Sequence, residues 1–307
     1  MKFGFQMDPV STLNHSTDST LPMILESQKR KNQNYIFSPS SLTFKKSSLY
    51  AQAKEIKFKN DKLNSYTLSS EKKLNLNSLN YIFIRQDPPY DMEYISSMHL
   101  LEQLSEKTKV VNSPSGIRNA PEKILMLKFK NIIPPTLITR SKKEIDRFMN
   151  SYKKSVIKPL YGNGGQGIFL LDKNDKNYNQ IIEKFIDEEN TPFILQKFLP
   201  EIIKGDKRII LVNGEPVAAL KRIPKKNEFR SNIHVGGSTK AVELSRNDRK
   251  ICSIIKETLI SEKLFFVGID IIGNYLTEIN VTSPTCIQEI KKVHKIDVAK
   301  IIFDRLG

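Results

Sequence analysis

Ten residues near the middle of the chain restrict its fold more than any other stretch. Lys158-Pro159-Leu160-Tyr161-Gly162-Asn163-Gly164-Gly165-Gln166-Gly167 places four glycines in six consecutive positions. Without a Cβ, the backbone can come close to a ligand and point several N–H groups at it, which suits phosphate oxygens. A plain flexible hairpin loop is the alternative. A P-loop closes on Gly-Lys-Ser/Thr and opens a helix, and a dinucleotide-binding fingerprint also runs into a helix. Here the flanks, residues 156–158 and 168–171, both read as strands. The loop is therefore expected to cap a β-hairpin and fold over phosphates as a flap, with Lys158 adding a cation at its base.

The residues around it form an α+β pattern. Ser141-x-x-Glu144 reads as a helix capping box. Strands are expected at 193–198 and 207–212, and helices near 176–188 and 246–262. Asn213-Gly214 predicts a type I′ hairpin turn, because both central positions need positive φ. Residues 193–199, Phe-Ile-Leu-Gln-Lys-Phe-Leu, would offer adenine a backbone donor and acceptor, although an ordinary core strand reads the same way.

A second hairpin spans 265–281. Most of it is apolar, and Asp270, Glu278 and Asn280 are its polar exceptions. Strand side chains alternate, so Glu278 and Asn280 share a face. Two hard oxygen donors at i and i+2 suit Mg²⁺, which takes one or two protein carboxylates with phosphate oxygens and water. A solvated face of an amphipathic hairpin is the competing reading. Asp270 carries a condition. A two-residue turn at Gly273-Asn274 pairs it with Thr277 and turns it away from Glu278, so all three converge only if the connection is odd-numbered or bulged. Between the two hairpins lie Lys207-Arg208, Lys221-Arg222 and Arg230. Arginine stabilises charge on a transferring phosphoryl group, and residues 224–240 have the polar, glycine-containing character of a lid. Taken singly, each arginine reads as a solvated surface residue.

The first 120 residues differ. Phe3, Phe5 and Met7 alternate as a strand, and Pro22 fits the first turn of a helix through Leu21, Ile24, Leu25 and Gln28. Residues 79–84 read as a buried strand, Asp91 caps a helix running to about Lys107, Val110-Val111 is a short strand, and Asn119-Ala120-Pro121 opens another helix. Only short edge strands are expected within residues 36–78. Strands alternating with helices predict an open α/β domain.

With 307 residues, the chain is long enough for two or three such units. The net charge of +16 raises nucleic-acid binding as a reading from another class. The lysines are dispersed, however, and no nucleic-acid motif is present, so the expectation is no nucleic-acid partner and a basic field that draws small anionic substrates. Cys252 and Cys286 form no metal or disulfide pattern. No apolar run approaches a membrane span, and the opening MKFGFQMDPV is not a signal peptide. The chain reads as cytoplasmic, with no membrane partner.

Read together, residues 158–167, 196–200, Asp206-Lys207-Arg208, 267–273 and 277–285 resemble an ATP-grasp ligase, and more narrowly bacterial glutathione synthetase. Gln6-Met7-Asp8-Pro9, Arg85-Gln86-Asp87-Pro88-Pro89 and Val111-Asn112-Ser113-Pro114 are similar to that family's N-terminal half. The likeness covers nearly the whole chain and fades over 31–78. It implies an α/β and α+β ATP-grasp fold in three parts: an N-terminal substrate-binding domain (1–120), a lid subdomain with the glycine-rich loop (121–200) and a C-terminal subdomain with the metal site (201–307). It implies ATP-dependent joining of γ-glutamylcysteine and glycine through an acyl phosphate, with two Mg²⁺ ions, replaceable by Mn²⁺, on Asp270, Glu278 and Asn280. Lys123, Lys158 and the loop glycines Gly162, Gly164 and Gly165 would hold the phosphates. Gln196, Lys197, Phe198 and Leu199 would hold adenine. Arg208 and Arg222 would steady the transferring phosphoryl group, and Arg85 and Arg230 the peptide. A homotetramer is expected. Tyr161, Asn163 and Gln166 depart from the family's loop, and His234-Val235-Gly236-Gly237 keeps its glycines with changed neighbours. A ligase with another acid or amine, or a non-catalytic nucleotide sensor, would share the fold.

Overall fold

A computed structural model describes every residue except 163, 226, 227, 229, 231–235 and 307. Three sheets follow one another along the chain.

The first contains β1 (Lys2–Gln6), β2 (Gln33–Phe37), β3 (Thr43–Lys45), β4 (Ser48–Phe58), β5 (Tyr66–Leu68), β6 (Lys72–Asn75), β7 (Tyr81–Ile84) and β8 (Lys109–Val111). Its order is β3-β4-β2-β1-β7-β8, with β5 and β6 also paired to β4. Strands β2, β1, β7 and β8 are parallel, and β4 joins them antiparallel. Helix α1 (Thr20–Lys29) connects β1 to β2, while β7 lies on the other side of β1 and leads through α2 (Met92–Leu101) to β8. The connections thus leave in opposite directions at β1 and β7, and the crevice beyond the carboxyl ends of such strands is where open α/β sheets bind ligands. Phe3, Phe5 and Phe83 stack at its centre with Tyr81 and Phe303.

The second sheet, ordered β11-β10-β12-β9, is wholly antiparallel and comprises β9 (Thr136–Thr139), β10 (Lys154–Lys158), β11 (Phe169–Asp172) and β12 (Phe193–Lys197). Helices α5 (Lys142–Tyr152) and α6 (Tyr178–Glu188) cover it, and Ile145, Met149, Ile182 and Phe185 pack on Ile157, Leu171 and Phe193. The glycine-rich segment joins β10 to β11, as expected of a hairpin flap.

The third sheet, ordered β15-β14-β13-β16-β17, comprises β13 (Asp206–Val212), β14 (Glu215–Ile223), β15 (Ser238–Ala241), β16 (Phe266–Ile272) and β17 (Tyr275–Asn280). Asn213 and Gly214 have φ of 52° and 75°, the type I′ pattern. Helix α7 (Arg246–Ser261) begins with a capping box from Ser245 and Asp248. The chain ends with α8 (Ile287–His294) and α9 (Val298–Asp304).

Several sequence expectations need correction. The box at Ser141 and Glu144 does not form, since the Ser141 side chain makes no cap bond. Strand β4 is an eleven-residue hub that pairs β2, β3, β5 and β6, rather than one of several short edge strands. Leu49, Ala51 and Ala53 alternate as buried residues, but the phase slips by one at Lys54-Glu55 before Ile56 and Phe58, which breaks the period in the sequence. Helix α2 is capped by Asp91 as expected, but it stops at Leu101. Short helices α3 (Pro114–Asn119) and α4 (Glu122–Leu125) occupy the linker, and Ser113 caps the first.

The first and third sheets are joined through Asn112. Its side chain donates to Phe266 O and Val281 O at 2.8 and 2.7 Å and accepts from Phe266 N at 2.7 Å. A single buried amide thus satisfies three backbone groups at the end of the β16–β17 hairpin.

Candidate active site

The β16–β17 hairpin meets the condition set for Asp270. Its turn has only two residues, with Ile272 facing Tyr275 and Ile271 facing Leu276, but the register then shifts so that Asp270 faces Glu278 and Gly268 faces Asn280. Thr277 is the extra residue of this bulge. Its hydroxyl donates to Asp270 O at 3.1 Å, which closes off the surplus position. The bulge therefore turns Asp270 onto the face of Glu278 and Asn280.

Opposite this face stands the glycine-rich hairpin. Between them is a cleft lined by Lys123, Lys158, Gly162, Gly164 and Gly165, by Gln196 to Leu199, and by Arg222, Arg230, Asp270 and Glu278. Residues far apart in sequence thus share one cavity. Arg208, Asn280 and Arg85 are not on its wall. Asn280 stands just behind, its amide 3.5 Å from Asp270 Oδ2. Arg85 lies at the β1–β7 switch point. It is buried, donates from Nε to Thr20 Oγ1 and from Nη2 to Pro284 O, and lies over the Phe266 ring. Its Nη1 has no hydrogen-bond partner among the described residues, and burial lowers its pKa. The backbone N–H of Asp87 donates to Asp8 Oδ2 at 2.8 Å, so the two Asp-Pro segments meet at the carboxyl ends of adjacent strands.

The cleft holds strongly paired charge. Arg208 grips Asp270 with Nε at 2.5 Å and Nη2 at 2.9 Å. Arg222 forms a two-pronged pair with Asp206 and reaches Asp270 Oδ2 at 3.0 Å. Burial alone would raise the Asp270 pKa, but the two guanidiniums overcome it and hold the carboxyl well below the usual range. These arginines are 5% and 3% exposed, so the surface reading of each fails. Their strand positions bury them against carboxylates on neighbouring strands, a partnership invisible to a one-residue reading. Gly268 leaves the room: a Cβ there would stand 3.3 Å from Arg208 Cδ.

Lys123 lies 3.5 Å from Glu278 Oε1 and donates to Gly162 O. Lys158 is buried, and desolvation pushes its pKa down to about 8 despite the nearby Glu278. A buried lysine with a depressed pKa beside a second lysine marks a site that favours an anion. Glu122, which sequence reasoning passed over, accepts from Thr282 Oγ1 at 2.7 Å and from Val281 N at 3.2 Å. Burial and then Glu278 raise its pKa. Asp206 was read only as part of a motif, yet it anchors Arg222. Its alternation with Arg208 on one strand was the available signal.

At the expected adenine strand, the N–H groups of Lys197 and Phe198 already donate to Pro135 O and Lys154 O. Gln196 donates to Thr136 Oγ1 at 3.3 Å. The apolar wall beside them comes from Pro134, Val156, Leu199 and Ile202. Arg230 reaches the cleft wall while paired to Glu228 at 2.7 Å. Asn163, His234 and Val235 and the middle of the 224–240 lid lie outside the described residues. Among the described residues, no group of three or more His, Cys, Asp or Glu side chains is arranged to hold a metal ion by itself. Asp270 and Glu278 facing two lysines, with Asn280 just behind them, instead suit an ion completed by phosphate oxygens and water.

Comparison with known proteins agrees with this geometry. Residues 1–118 match the family described as prokaryotic glutathione synthetase, N-terminal domain, and residues 122–295 match prokaryotic glutathione synthetase, ATP-grasp domain. The chain belongs to the prokaryotic glutathione synthetase family. Among relatives of this family, the glutathione synthetase of Agrobacterium fabrum is 43% identical over 303 residues, covering 99% of this chain and 95% of that one. The fold is shared more widely. The crystal structure of D-cycloserine synthetase DcsG aligns over the whole of both chains with a TM-score of 0.70 at 10% identity. The ATP-grasp ligase PsnB, in complex with a minimal precursor, Mg and ADP, aligns with a TM-score of 0.62 at 14% identity. The expected family, fold and enzyme class are thus borne out, and ATP-grasp membership carries ATP and divalent-metal use in general. No described helix is long and apolar enough to cross a membrane.

Proposed function

We propose that this member of the prokaryotic glutathione synthetase family joins γ-glutamylcysteine to glycine at the expense of ATP, releasing ADP and phosphate. The observation that carries the site assignment is the bulge at Thr277, which sets Asp270 opposite Glu278 and both across the cleft from Lys158 and the glycine loop.

In this reading residues 1–120, 121–200 and 201–307 act as substrate domain, lid and metal-bearing subdomain. Lys123, Lys158 and the amides around Gly162, Gly164 and Gly165 hold the phosphates. Gln196 to Leu199, with Pro134, Val156 and Ile202, hold adenine. Asp270, Glu278 and Asn280 hold magnesium, two ions for preference, with manganese able to substitute. Magnesium, when bound, offsets charge on the phosphate oxygens as the terminal phosphoryl group is transferred. The substrate carboxylate attacks the γ-phosphorus and the bond to the ADP oxygen breaks. The neutral amine of glycine then attacks the acyl carbon, the bond from that carbon to the phosphate oxygen breaks, and the departing phosphate carries away the proton released from nitrogen. No side chain need act as general base, because the acyl phosphate is already activated. The protein's contribution is orientation and fixed charge. Arg222 faces the transferring group with Arg208 behind it, the glycine flap excludes water, and Arg85 and Arg230 are the peptide contacts. The enzyme works in the cytoplasm as a homotetramer.

Purified protein should release ADP with γ-glutamylcysteine and glycine together, and not with either alone. Turnover only with another acid or amine would refute the substrate assignment. Glu278→Gln and Asn280→Ala should each lower ligation by about a hundredfold or more while leaving the circular dichroism spectrum unchanged. Near-normal turnover in either would overturn the metal assignment.

A further inference from the structure

The near end of the glycine-rich loop is anchored by three successive residues, of which Tyr161 reaches the N-terminal domain. Leu160 is buried in the same core as Tyr94, Ala120 and Leu125. Tyr161 stacks on Tyr90, with ring centroids 5.9 Å apart and planes 17° from parallel. Gly162 accepts from Lys123 through its carbonyl. Tyr90 is itself fixed. Its hydroxyl donates to Arg118 O at 2.6 Å and to Ile117 O at 3.3 Å, and its ring lies 5.6 Å from that of Tyr94. The far end of the loop is different: Gly164 and Gly167 have φ of 61° and 67°, and a Cβ on Gly164 would meet nothing within 4 Å.

Tyr90 directly follows Arg85-Gln86-Asp87-Pro88-Pro89, the segment that leaves β7 at the switch-point crevice. Two prolines fix φ at consecutive residues and make this stretch stiff. Tyr90 is thus joined to Asp87 and Arg85 through a backbone whose φ is fixed at Pro88 and Pro89. Tyr161 is 37% exposed, so its ring is half free of the core and depends on the stack for its place.

We propose that Tyr161 and Tyr90 are positioning residues that couple the phosphate-side loop to the Arg85–Tyr90 segment, so that nucleotide binding and acid-substrate binding each favour the other. The inference rests on the proposed site assignment, in which the loop covers phosphates and the crevice takes the acid. Neither tyrosine contacts the reacting atoms. Both act through the loop and the segment they join. An aromatic pair of this kind contributes on the order of a two- to tenfold effect beyond its buried area, and coupling between two sites is reciprocal.

The test is a binding cycle on the full-length protein. ADP affinity is measured by calorimetry with and without γ-glutamylcysteine, and the ratio is the coupling factor. The wild-type ratio should be about fivefold or more. It should fall to near one in Tyr161→Ala and in Tyr90→Leu, fall no further when the two are combined, and be retained in Tyr161→Phe, which keeps the ring. A wild-type ratio of one, an unchanged ratio in Tyr161→Ala, or a Tyr161→Phe that behaves like Tyr161→Ala would each overturn the proposal. A merely structural role would lower the melting temperature and leave the ratio alone. Absence of any ADP binding by the wild-type protein would instead refute the nucleotide-site assignment, so the two failures are distinct.

Discussion

Replacing Asp270 by Asn should destabilise this protein more than any other single change in the cleft. Four charges are buried together there: Arg208, Arg222, Asp206 and Asp270, each no more than 5% exposed. Two positive and two negative groups leave the cluster neutral. Asparagine removes one negative charge, and its amide cannot accept both Arg208 contacts, at 2.5 and 2.9 Å, as well as the Arg222 contact at 3.0 Å. Arg222 keeps Asp206, but Arg208 loses the carboxylate that balanced its charge. Breaking a buried pair in this way costs about 3–5 kcal/mol. The chain contains no tryptophan, so urea unfolding is best followed by far-ultraviolet circular dichroism. The double variant Asp270→Asn/Arg208→Met restores neutrality and should recover much of the stability, yet no ligation. By contrast, Glu278 is part-exposed, and its removal costs the Lys123 pair but relieves repulsion of Glu122, so Glu278→Gln should destabilise less than Asp270→Asn. The reasoning fails if Asp270→Asn unfolds at the wild-type urea midpoint, or if the double variant is no more stable than the single.

Two further expectations follow from the same cleft. Lys158 has its pKa pushed down to about 8, so it carries its charge below that pH and loses it above; one unit higher, roughly a tenth remains protonated. Calorimetric ADP affinity should therefore fall by up to about tenfold between pH 7 and 9, and Lys158→Met should lose this slope. In stability the sign is opposite. The unfolded chain binds the extra proton between about 8 and 10.5, so this group's contribution rises with pH across that window. Gly205 has φ of 96°, and a Cβ there would overlap the Arg222 carbonyl. Gly205→Ala should cost about 3 kcal/mol or more and displace Arg222, lowering the urea midpoint and ligation together.

What could be read from the sequence was what is local and periodic. The positive-φ turn at Asn213-Gly214, the apolar runs of β7, β12 and β16, and the glycine loop between strands are all properties of a few neighbouring residues. The Asp270 problem was legible only as a condition. Strand alternation shows that a two-residue turn misdirects Asp270, but whether Thr277 is squeezed out as a bulge depends on the hydrogen bonds of the whole hairpin. The charged residues were misjudged for the same reason. Arg208 and Arg222 each look solvated in a linear text, and their burial depends on Asp206 and Asp270, the latter more than forty residues on. Strand β4 was fragmented because its buried alternation slips by one residue at Lys54-Glu55, between Ala53 and Ile56.

The arrangement of charge explains how one cleft can serve both a metal and a polyphosphate. Glu278 lies 3.5 Å from the buried Lys123, which also donates to Gly162 O, and it repels Glu122, so in the proposed assignment a divalent ion beside it would meet a carboxylate paired to a single ammonium. Asp270 is the reverse case, held by two rigid guanidiniums through short bonds. A metal drawing on Asp270 would therefore share an already fixed oxygen, whereas at Glu278 it would displace one ion pair. In the proposed assignment, Lys123 would turn toward bound phosphates and leave the Glu278 carboxylate to the metal. Nucleotide and ion would thus enter as one neutralising unit. The difference between the two carboxylates follows from strand placement: Asp270 faces Arg208 across the β13–β16 ladder and is reached by Arg222 from β14, whereas Glu278 sits on the edge strand facing the lysine.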